Sequence, residues 1–191
     1  MSDPLFFGYG SLVNLATHDY ADPHPARLSG WRRVWRRTKL RDAAFLSVER
    51  CEVTEIAGIV ARVPGADWGA LDAREAAYAR RDVTHTVRHA SQPGPVAVYE
   101  VEDIHLSDRD DHPILQSYLD VVVQGYLRVF GEAEAQAFFE TTHGWDTPIL
   151  DDRADPIYPR AQRLSSDETV FVDEALARFA GSGMINRAKR A

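Results

Sequence analysis

The strongest constraint on the fold is the division of the sequence into a strand-like first half and a helical second half. The strand candidates, read from short apolar runs and alternation, are residues 4–9, 26–38, 43–48, 55–63, 82–89 and 95–101. The helix candidates, read from apolar spacings of three and four, are residues 65–79, 113–130, 132–142 and 168–179. Residues 150–159 indicate a loop. Because no linker divides the chain, we expect one α+β domain over residues 1–180, built on a mixed or barrel-like sheet, with a flexible tail at residues 181–191.

Composition excludes several classes of protein. The 191 residues are 45% hydrophobic and 27% charged, which does not fit a disordered chain or a disulfide scaffold. Cys51 is the single cysteine, so no intramolecular disulfide can form. The net charge of −7 does not favour nucleic acid or an anionic membrane as a partner. The sequence shows no secretory signal and no uncharged apolar stretch of about 18 residues, so we expect a cytoplasmic location.

A glycine-rich turn follows the first predicted strand. Gly8 and Gly10 flank Tyr9, and Ser11 and Leu12 come next. Glycine allows a sharp turn that brings backbone N–H groups close to a ligand, so this segment can present donors to a carboxylate or to a developing oxyanion. The same pattern also fits a strand end with a tight turn and no ligand. A phosphate-binding loop is excluded, because no Gly-Lys-Ser/Thr sequence follows.

A carboxylate lies on the apolar side of the predicted helix over residues 65–79. Glu75 comes four residues after Leu71 and three before Tyr78, which places it on the stripe expected to face the core. Burial raises the pKa of a carboxyl group and suits it to general acid–base catalysis near neutral pH. The alternative is a carboxylate at the edge of the stripe that pairs with Arg74 or Arg81.

Residues 31–41 carry six basic residues and two tryptophans but no acidic residue. Such a segment could bind single-stranded nucleic acid by stacking. We favour a two-sided strand whose arginines pair with the acidic remainder of the chain, so no nucleic-acid partner is expected. The histidines form no set with metal-ligand spacing. Cys51 lies beside Glu52, which does not favour a thiolate nucleophile.

Three blocks of the sequence together resemble the γ-glutamylcyclotransferase-like superfamily. Residues 7–12 (FGYGSL) look like its Tyr-Gly-Ser signature, and residues 71–83 are similar to the segment that carries its catalytic glutamate. Residues 113–125 resemble the later Ser-Tyr-Asp helix of the ChaC-like branch. The blocks occur in the family order, and Leu12 stands where some branches have asparagine. The superfamily includes γ-glutamylcyclotransferases, plant-type avirulence-induced proteins and ChaC-type glutathione-degrading enzymes.

The resemblance implies a fold, a reaction and a site. The fold is a small mixed β-sheet curled into a barrel with flanking helices. The reaction is an intramolecular aminolysis that releases 5-oxoproline from a small γ-glutamyl substrate, such as an amine, a dipeptide or glutathione, with no cofactor and no metal. The implied site residues are Glu75 as the catalytic acid/base, and Tyr9, Gly10, Ser11, Leu12, Tyr78 and Tyr118 for substrate binding.

Two alternatives to this reading stay open at the level of the sequence. One is a non-catalytic module of the same fold that binds a small ligand. The other is an enzyme that acts on a γ-glutamylated secondary metabolite. The sequence predicts neither the leaving group nor the oligomeric state, and the residues after 131 either complete the core or cover the pocket.

Overall fold

The computed structural model describes residues 3–109 and 111–180, together with the backbone of residues 184–186. The strands are β1 (Leu5–Gly8), β2 (His24–Arg37), β3 (Ala44–Arg62), β4 (Tyr78–Asp82), β5 (Val87–His89), β6 (Val96–Val101), β7 (Ile114–Leu115), β8 (Thr142–His143), β9 (Ile149–Asp151) and β10 (Met184–Asn186). The helices are α1 (Gly69–Arg74), α2 (Gln116–Phe130), α3 (Glu132–Thr141) and α4 (Ser166–Phe179). The α+β class predicted from the sequence is confirmed.

The main sheet is mixed and runs in the order β4-β6-β1-β3-β2-β5, with β8 attached to β2. β1 pairs with β6 in parallel and with β3 antiparallel, so the first strand occupies the centre of the sheet. All four residues of β1 are buried, which agrees with the apolar run predicted at residues 4–9. A second, parallel sheet has the order β10-β9-β7. The predicted flexible tail at residues 181–191 lies outside the described residues except for β10.

The predicted barrel is wrong, because the sheet ends in two edge strands, β4 and β5, that do not pair in the described part of the chain. Between the first part of β3 and strands β6 and β4 lies a gap, which we call the seam. Hydroxyl groups bridge it in place of a strand ladder. Tyr78 donates to the carbonyl of Leu46 at 2.9 Å, and Ser47 accepts from the backbone of β6 at 3.0 Å. The hydroxyl of Tyr9 lies between the two sides, 2.7 Å from the carbonyl of Tyr99 and 3.4 Å from that of Leu46. The sheet is therefore curled but not closed.

Two further predictions, both of strand boundaries, need correction. The candidates at residues 43–48 and 55–63 form one strand, β3, in which apolar periodicity is lost where residues 51–54 bulge out opposite Gly30, whose φ is 80°. The candidate at residues 82–89 divides into the end of β4 and the separate strand β5. Asp82 begins the turn between them, accepting hydrogen bonds from the backbone and the hydroxyl of Thr84 at 2.9 and 2.6 Å.

For the basic segment at residues 31–41, the favoured prediction of arginines paired with carboxylates is confirmed at two positions. Arg32 and Arg36 both pair with Glu49 on the neighbouring strand. Trp31 and Trp35 are buried, so neither ring is available for stacking on a base. Arg33 departs from the prediction, since its buried guanidinium lies over the rings of Tyr126 and Phe138 at 5.2 and 5.1 Å and has no carboxylate partner among the described residues.

Helix α2 is the central helix of the molecule. It contacts α3 and α4 on one side and the turn that follows β1 on the other. It ends at Gly131, whose φ of 84° lies in a range that glycine adopts readily and other residues rarely do. The prediction placed its start at residue 113, but residues Ile114–Leu115 form β7 and the helix begins at Gln116.

Gly125 allows α2 to approach the turn at backbone contact. A Cβ at this position would lie 2.6 Å from the backbone nitrogen of Asn14 and 2.9 Å from the carbonyl carbon of Val13. We expect Gly125→Ala to lower the free energy of unfolding by about 1–2 kcal/mol through overpacking, although alanine in an open helix interior is favourable by roughly 1 kcal/mol. Gly69→Ala, at the first turn of α1, is the control and should be neutral; equal melting temperatures for the two variants would contradict the prediction.

Candidate active site

Glu75 is the last residue associated with α1, which is much shorter than predicted. Its N–H bonds to the carbonyl of Leu71 at 2.9 Å, and its own carbonyl accepts from Tyr78 at 2.9 Å, closing a turn. The predicted helix over residues 65–79 is therefore wrong beyond residue 74, because Tyr78 joins the sheet as the first residue of β4 opposite Val101. The turn, rather than a continuous helical stripe, directs Glu75 inward.

The carboxylate of Glu75 is largely buried. Its side chain is 16% exposed, and burial raises its pKa from the ordinary value of 4.5. The guanidinium groups of Arg74 and Arg160 act in the opposite direction and favour the ionised form, but burial is the larger effect. A carboxyl group with a raised pKa can exchange protons at a pH closer to neutral, as a general acid/base requires.

Arg74 contacts Glu75, as the alternative considered from the sequence proposed, while Arg81 pairs with Glu100 instead. The Nε of Arg74 lies 3.4 Å from Oε1 of Glu75. The Arg74 side chain also donates to the hydroxyl of Ser11 at 3.1 Å and to the carbonyl of Thr17 at 3.1 Å. Pairing of Glu75 with an arginine therefore does not prevent its side chain from facing a pocket. Arg74 also connects the turn after β1 to the segment that carries Glu75.

The turn after β1 passes directly beneath a tyrosine of α2. A Cβ on Gly10 would lie 2.6 Å from the hydroxyl oxygen of Tyr118, so only glycine fits under this ring without a shift. Residues Ser11–Val13 form a 3₁₀ turn whose first internal bond is donated by Val13 to the carbonyl of Gly10 at 2.9 Å. The N–H groups of Ser11 and Leu12 precede that bond, and a backbone hydrogen bond joins Ser11 to Tyr118.

Tyr9 and Tyr78 contribute hydroxyl groups that are already engaged across the seam. Burial raises the pKa of each phenol well above 10, so both remain neutral hydrogen-bond donors at physiological pH.

The ring of Tyr118 contacts two other aromatic rings, edge-on to Trp35 at 6.0 Å and to Tyr158 at 5.0 Å between centroids. The aromatic groups thus form rigid walls.

A cavity of about 210 Å³ connects these groups. Its lining comprises Ser11, Leu40, Arg41, Ala44, Phe45, Leu46, Arg74, Glu75, Ala76, Ala77, Tyr78, Leu115, Tyr118, Tyr158, Pro159 and Arg160. A deeper recess of about 30 Å³ adjoins it and is lined by residues 7–12 together with Leu46, Glu75, Tyr78, Tyr99 and Tyr118. Glu75 faces both spaces. The structure therefore brings together all seven residues suggested from the sequence.

A larger cleft of about 750 Å³ lies elsewhere, beside β9 and α4, and contains none of those seven residues. It is open and lined partly by the last turn of α4 and by Ala180, which follows that helix. The smaller cavity is the better candidate, because the buried carboxylate of Glu75 and the turn after β1 converge on it and on the recess beside it.

The outer wall of the cavity comes from residues to which the sequence analysis gave no role. Tyr158, Pro159 and Arg160 lie in or beside the loop predicted at residues 150–159 and cover one side of the cavity. Asp152 fixes this loop to α2: it accepts hydrogen bonds from the backbone of Ser117 at 2.7 Å and from its hydroxyl at 2.5 Å. Of the two roles considered for the residues after 131, covering the pocket is thus observed for this segment.

The described part of the chain contains no group of three or more histidine, cysteine, aspartate or glutamate side chains placed to hold a metal ion. It also contains no helix long and apolar enough to cross a membrane. The groups that face the cavity are carboxylate, guanidinium, hydroxyl and backbone N–H, which can bind an anion and exchange a proton.

Comparison with solved structures identifies the architecture. A protein described as a gamma-glutamyl cyclotransferase superposes with a TM-score of 0.55 at 13% identity, covering 91% of this chain and 99% of its own. An uncharacterized human protein gives 0.57 at 14% identity with the same coverage, and Bacillus subtilis YkqA gives 0.55 at 18% identity over 75% of this chain and 57% of its own. No protein-family model and no curated protein matches the sequence.

Identities this low establish the fold and nothing finer. The agreement extends over 91% of this chain and concerns the shared architecture, not the turn after β1 or Glu75 individually. The resemblance seen in the three sequence blocks is therefore confirmed at the level of structure: the chain has the fold of the γ-glutamylcyclotransferase-like superfamily.

Proposed function

We propose that this protein is a γ-glutamyl cyclotransferase that releases 5-oxoproline from a small γ-glutamyl compound without a cofactor. The observation that carries the proposal is the shared cavity: Glu75 and the backbone of Gly10, Ser11 and Leu12 line the same recess. A buried carboxylate and a donor-rich turn are the two groups that an intramolecular aminolysis needs from a protein.

The reaction forms one bond and breaks one. The α-amine nitrogen of the γ-glutamyl group attacks its own side-chain carbonyl carbon, and the bond from that carbon to the leaving nitrogen breaks. The attacking nitrogen begins as an ammonium group and ends as a lactam N–H, so it gives up two protons, while the leaving nitrogen gains two and departs as an ammonium ion. Glu75 carries one of these protons from the attacking to the leaving nitrogen, and solvent exchanges the other. No water and no redox step are consumed.

The turn and the aromatic walls supply binding and orientation. The N–H group of Leu12, together with that of Ser11 once the substrate displaces the Tyr118 hydroxyl from it, stabilises negative charge on a substrate carboxylate or on the carbonyl oxygen as the tetrahedral intermediate forms. Tyr78 and Tyr118 border the space in which the glutamyl chain must fold back on itself. Holding amine and carbonyl at reacting distance lowers the barrier by an amount that reaches about 7 kcal/mol or more in well-oriented systems.

The direct test is to incubate the purified protein, dialysed against a chelator, with glutathione, γ-glutamyl dipeptides and γ-glutamyl amines, and to measure 5-oxoproline. We expect product from at least one substrate and no dependence on added metal. Ligand-induced thermal stabilisation without product across the whole panel would instead identify a non-catalytic binding module. The panel should also include a γ-glutamylated secondary metabolite, the alternative substrate class that the sequence leaves open.

The pH dependence of the rate should report the buried carboxyl group. Only the ionised form of Glu75 can accept a proton from the substrate, so kcat/KM should fall as the pH is lowered through its pKa. Because burial raises this pKa, the acidic limb should lie above 4.5, the ordinary value. The measurement is kcat/KM between about pH 4 and 9, and the residual activity of Glu75→Gln should lack this limb. A limb that persists unchanged in that variant belongs to another group.

A further inference from the structure

The cavity has a charge opposite to that of the chain. The protein carries a net charge of −7, yet three arginines, Arg41, Arg74 and Arg160, line the cavity against one carboxylate, that of Glu75. A local excess of positive charge in a concave, partly apolar site favours an anionic ligand. The ligand should therefore carry more negative charge than the reacting γ-glutamyl group brings by itself.

The three arginines differ in their availability. Arg74 is largely buried and is committed to Ser11, Thr17 and Glu75. Arg41 and Arg160 are exposed at the mouth of the cavity, and neither forms an ion pair with a carboxylate in the ranges 3–109 and 111–180. The charge of Arg160 is nevertheless felt by Glu75, whose ionised form it favours. Arg160 is thus close to the site and has no structural carboxylate partner there.

Arg160 is held at the mouth by two carboxylates that dock its loop. Asp152 binds the N-terminus of α2 through Ser117, whose hydroxyl also accepts from the backbone N–H of Tyr158 at 3.3 Å. One turn along α2, Asp120 forms a bidentate pair with Arg153 at 2.7 and 2.8 Å. Both contacts join the loop to the helix that carries Tyr118, so the loop is fixed relative to the cavity wall.

The shape of the cavity separates the reacting end of a substrate from its leaving group. The deeper recess contains the turn and Glu75, where ring closure needs the amine and the carbonyl. Arg41, Pro159 and Arg160 line only the outer space, toward which the other side of the scissile bond must point.

We infer that Arg160 is a specificity-determining residue that binds a carboxylate on the leaving group, so that the protein acts on γ-glutamyl amino acids and peptides in preference to γ-glutamyl amines. This inference rests on the proposed function. Arginine suits the role because its planar guanidinium forms paired hydrogen bonds with a carboxylate.

The experiment compares two substrates that differ only in the carboxylate, γ-glutamyl-alanine and γ-glutamyl-ethylamide, through their common product 5-oxoproline. It uses the full chain, Arg160→Gln, and the control Arg163→Gln, which makes the same change at an exposed position outside the cavity lining. Rates are measured on the plateau of the pH profile, because losing Arg160 also alters the pKa of Glu75.

The full chain should prefer γ-glutamyl-alanine, and Arg160→Gln should reduce kcat/KM for that substrate by about tenfold, mainly through KM, while the value for the ethylamide changes less than about twofold. Arg163→Gln should match the parent with both. Turnover of both substrates with no change in their ratio in Arg160→Gln would overturn the inference and leave the proposed function standing. Turnover of neither substrate, nor of any other γ-glutamyl compound, would overturn both.

Discussion

Glu75→Gln should lower kcat by at least about a hundredfold, the usual minimum for the loss of a general acid/base. The amide keeps the shape and hydrogen-bonding capacity of the side chain but cannot accept a proton from the substrate ammonium. The measurement is 5-oxoproline formation with the best substrate of the panel. Glu174→Gln, the same change at an exposed position on α4, is the matched control and should retain parental activity. A Glu75→Gln variant with more than a tenth of the parental rate would remove this residue from the mechanism.

The same substitution has an opposite consequence for stability. Burial raises the pKa of Glu75 in the folded protein, so the native state holds the proton more tightly than the unfolded chain does. The free energy of unfolding therefore falls as the pH rises from 4.5 through the raised pKa. At every higher pH the loss of stability persists, because the buried carboxylate is then ionised. Glutamine carries no such cost. Glu75→Gln should accordingly be at least as stable as the parent at neutral pH, with the difference vanishing below pH 4.5.

Asp152→Ala should lower the free energy of unfolding by about 3 kcal/mol. The buried carboxylate accepts two hydrogen bonds from Ser117 and one from the backbone of Ile157 at 2.9 Å, and it caps the positive end of α2. Hydrogen bonds to a charged group contribute about 1.5–3 kcal/mol each, and the donors left behind would be buried without partners. For a chain of this size the melting temperature should fall by roughly 6–12 °C.

Asp152→Asn is the matched variant for this prediction. It keeps one acceptor oxygen but loses the charge, so its melting temperature should lie between those of the parent and of Asp152→Ala. Since the loop also carries Tyr158 and Arg160, KM should rise in both variants while the dependence of kcat on Glu75 is preserved. A melting temperature within about 2 °C of the parent for Asp152→Ala would contradict the assigned role of this carboxylate.

The sequence predicted the elements whose patterns are local. The buried run of β1, the turn at Gly10 and the end of α2 at Gly131 follow from apolar runs and glycine alone, and the structure has them there. The strand pairings are long-range, and no single-sequence pattern could indicate that the seam is bridged by tyrosine and serine hydroxyls rather than by a closed ladder.

Glu75 was identified through a helix that does not extend to it. Apolar spacing from Leu71 to Tyr78 fits a helical face, but Tyr78 instead pairs with Val101 in the sheet, which overrides the local preference. Leu71 remains buried within α1, and Glu75 still turns inward because it lies at the junction between α1 and β4. Residues 158–160 left no comparable signal, since their role depends on the contact between Asp152 and Ser117.

Because residues 152–160 dock onto α2, the walls of the pocket come from parts of the chain that lie far apart in the sequence. The groups proposed to carry the chemistry belong to the first half, whereas Tyr158, Pro159 and Arg160, which form the rim together with Arg41, come from the last third. Under the proposed function and the proposed role of Arg160, selectivity and reactivity are encoded separately, so substitutions in the rim should change the choice of substrate without rebuilding the centre where the ring closes.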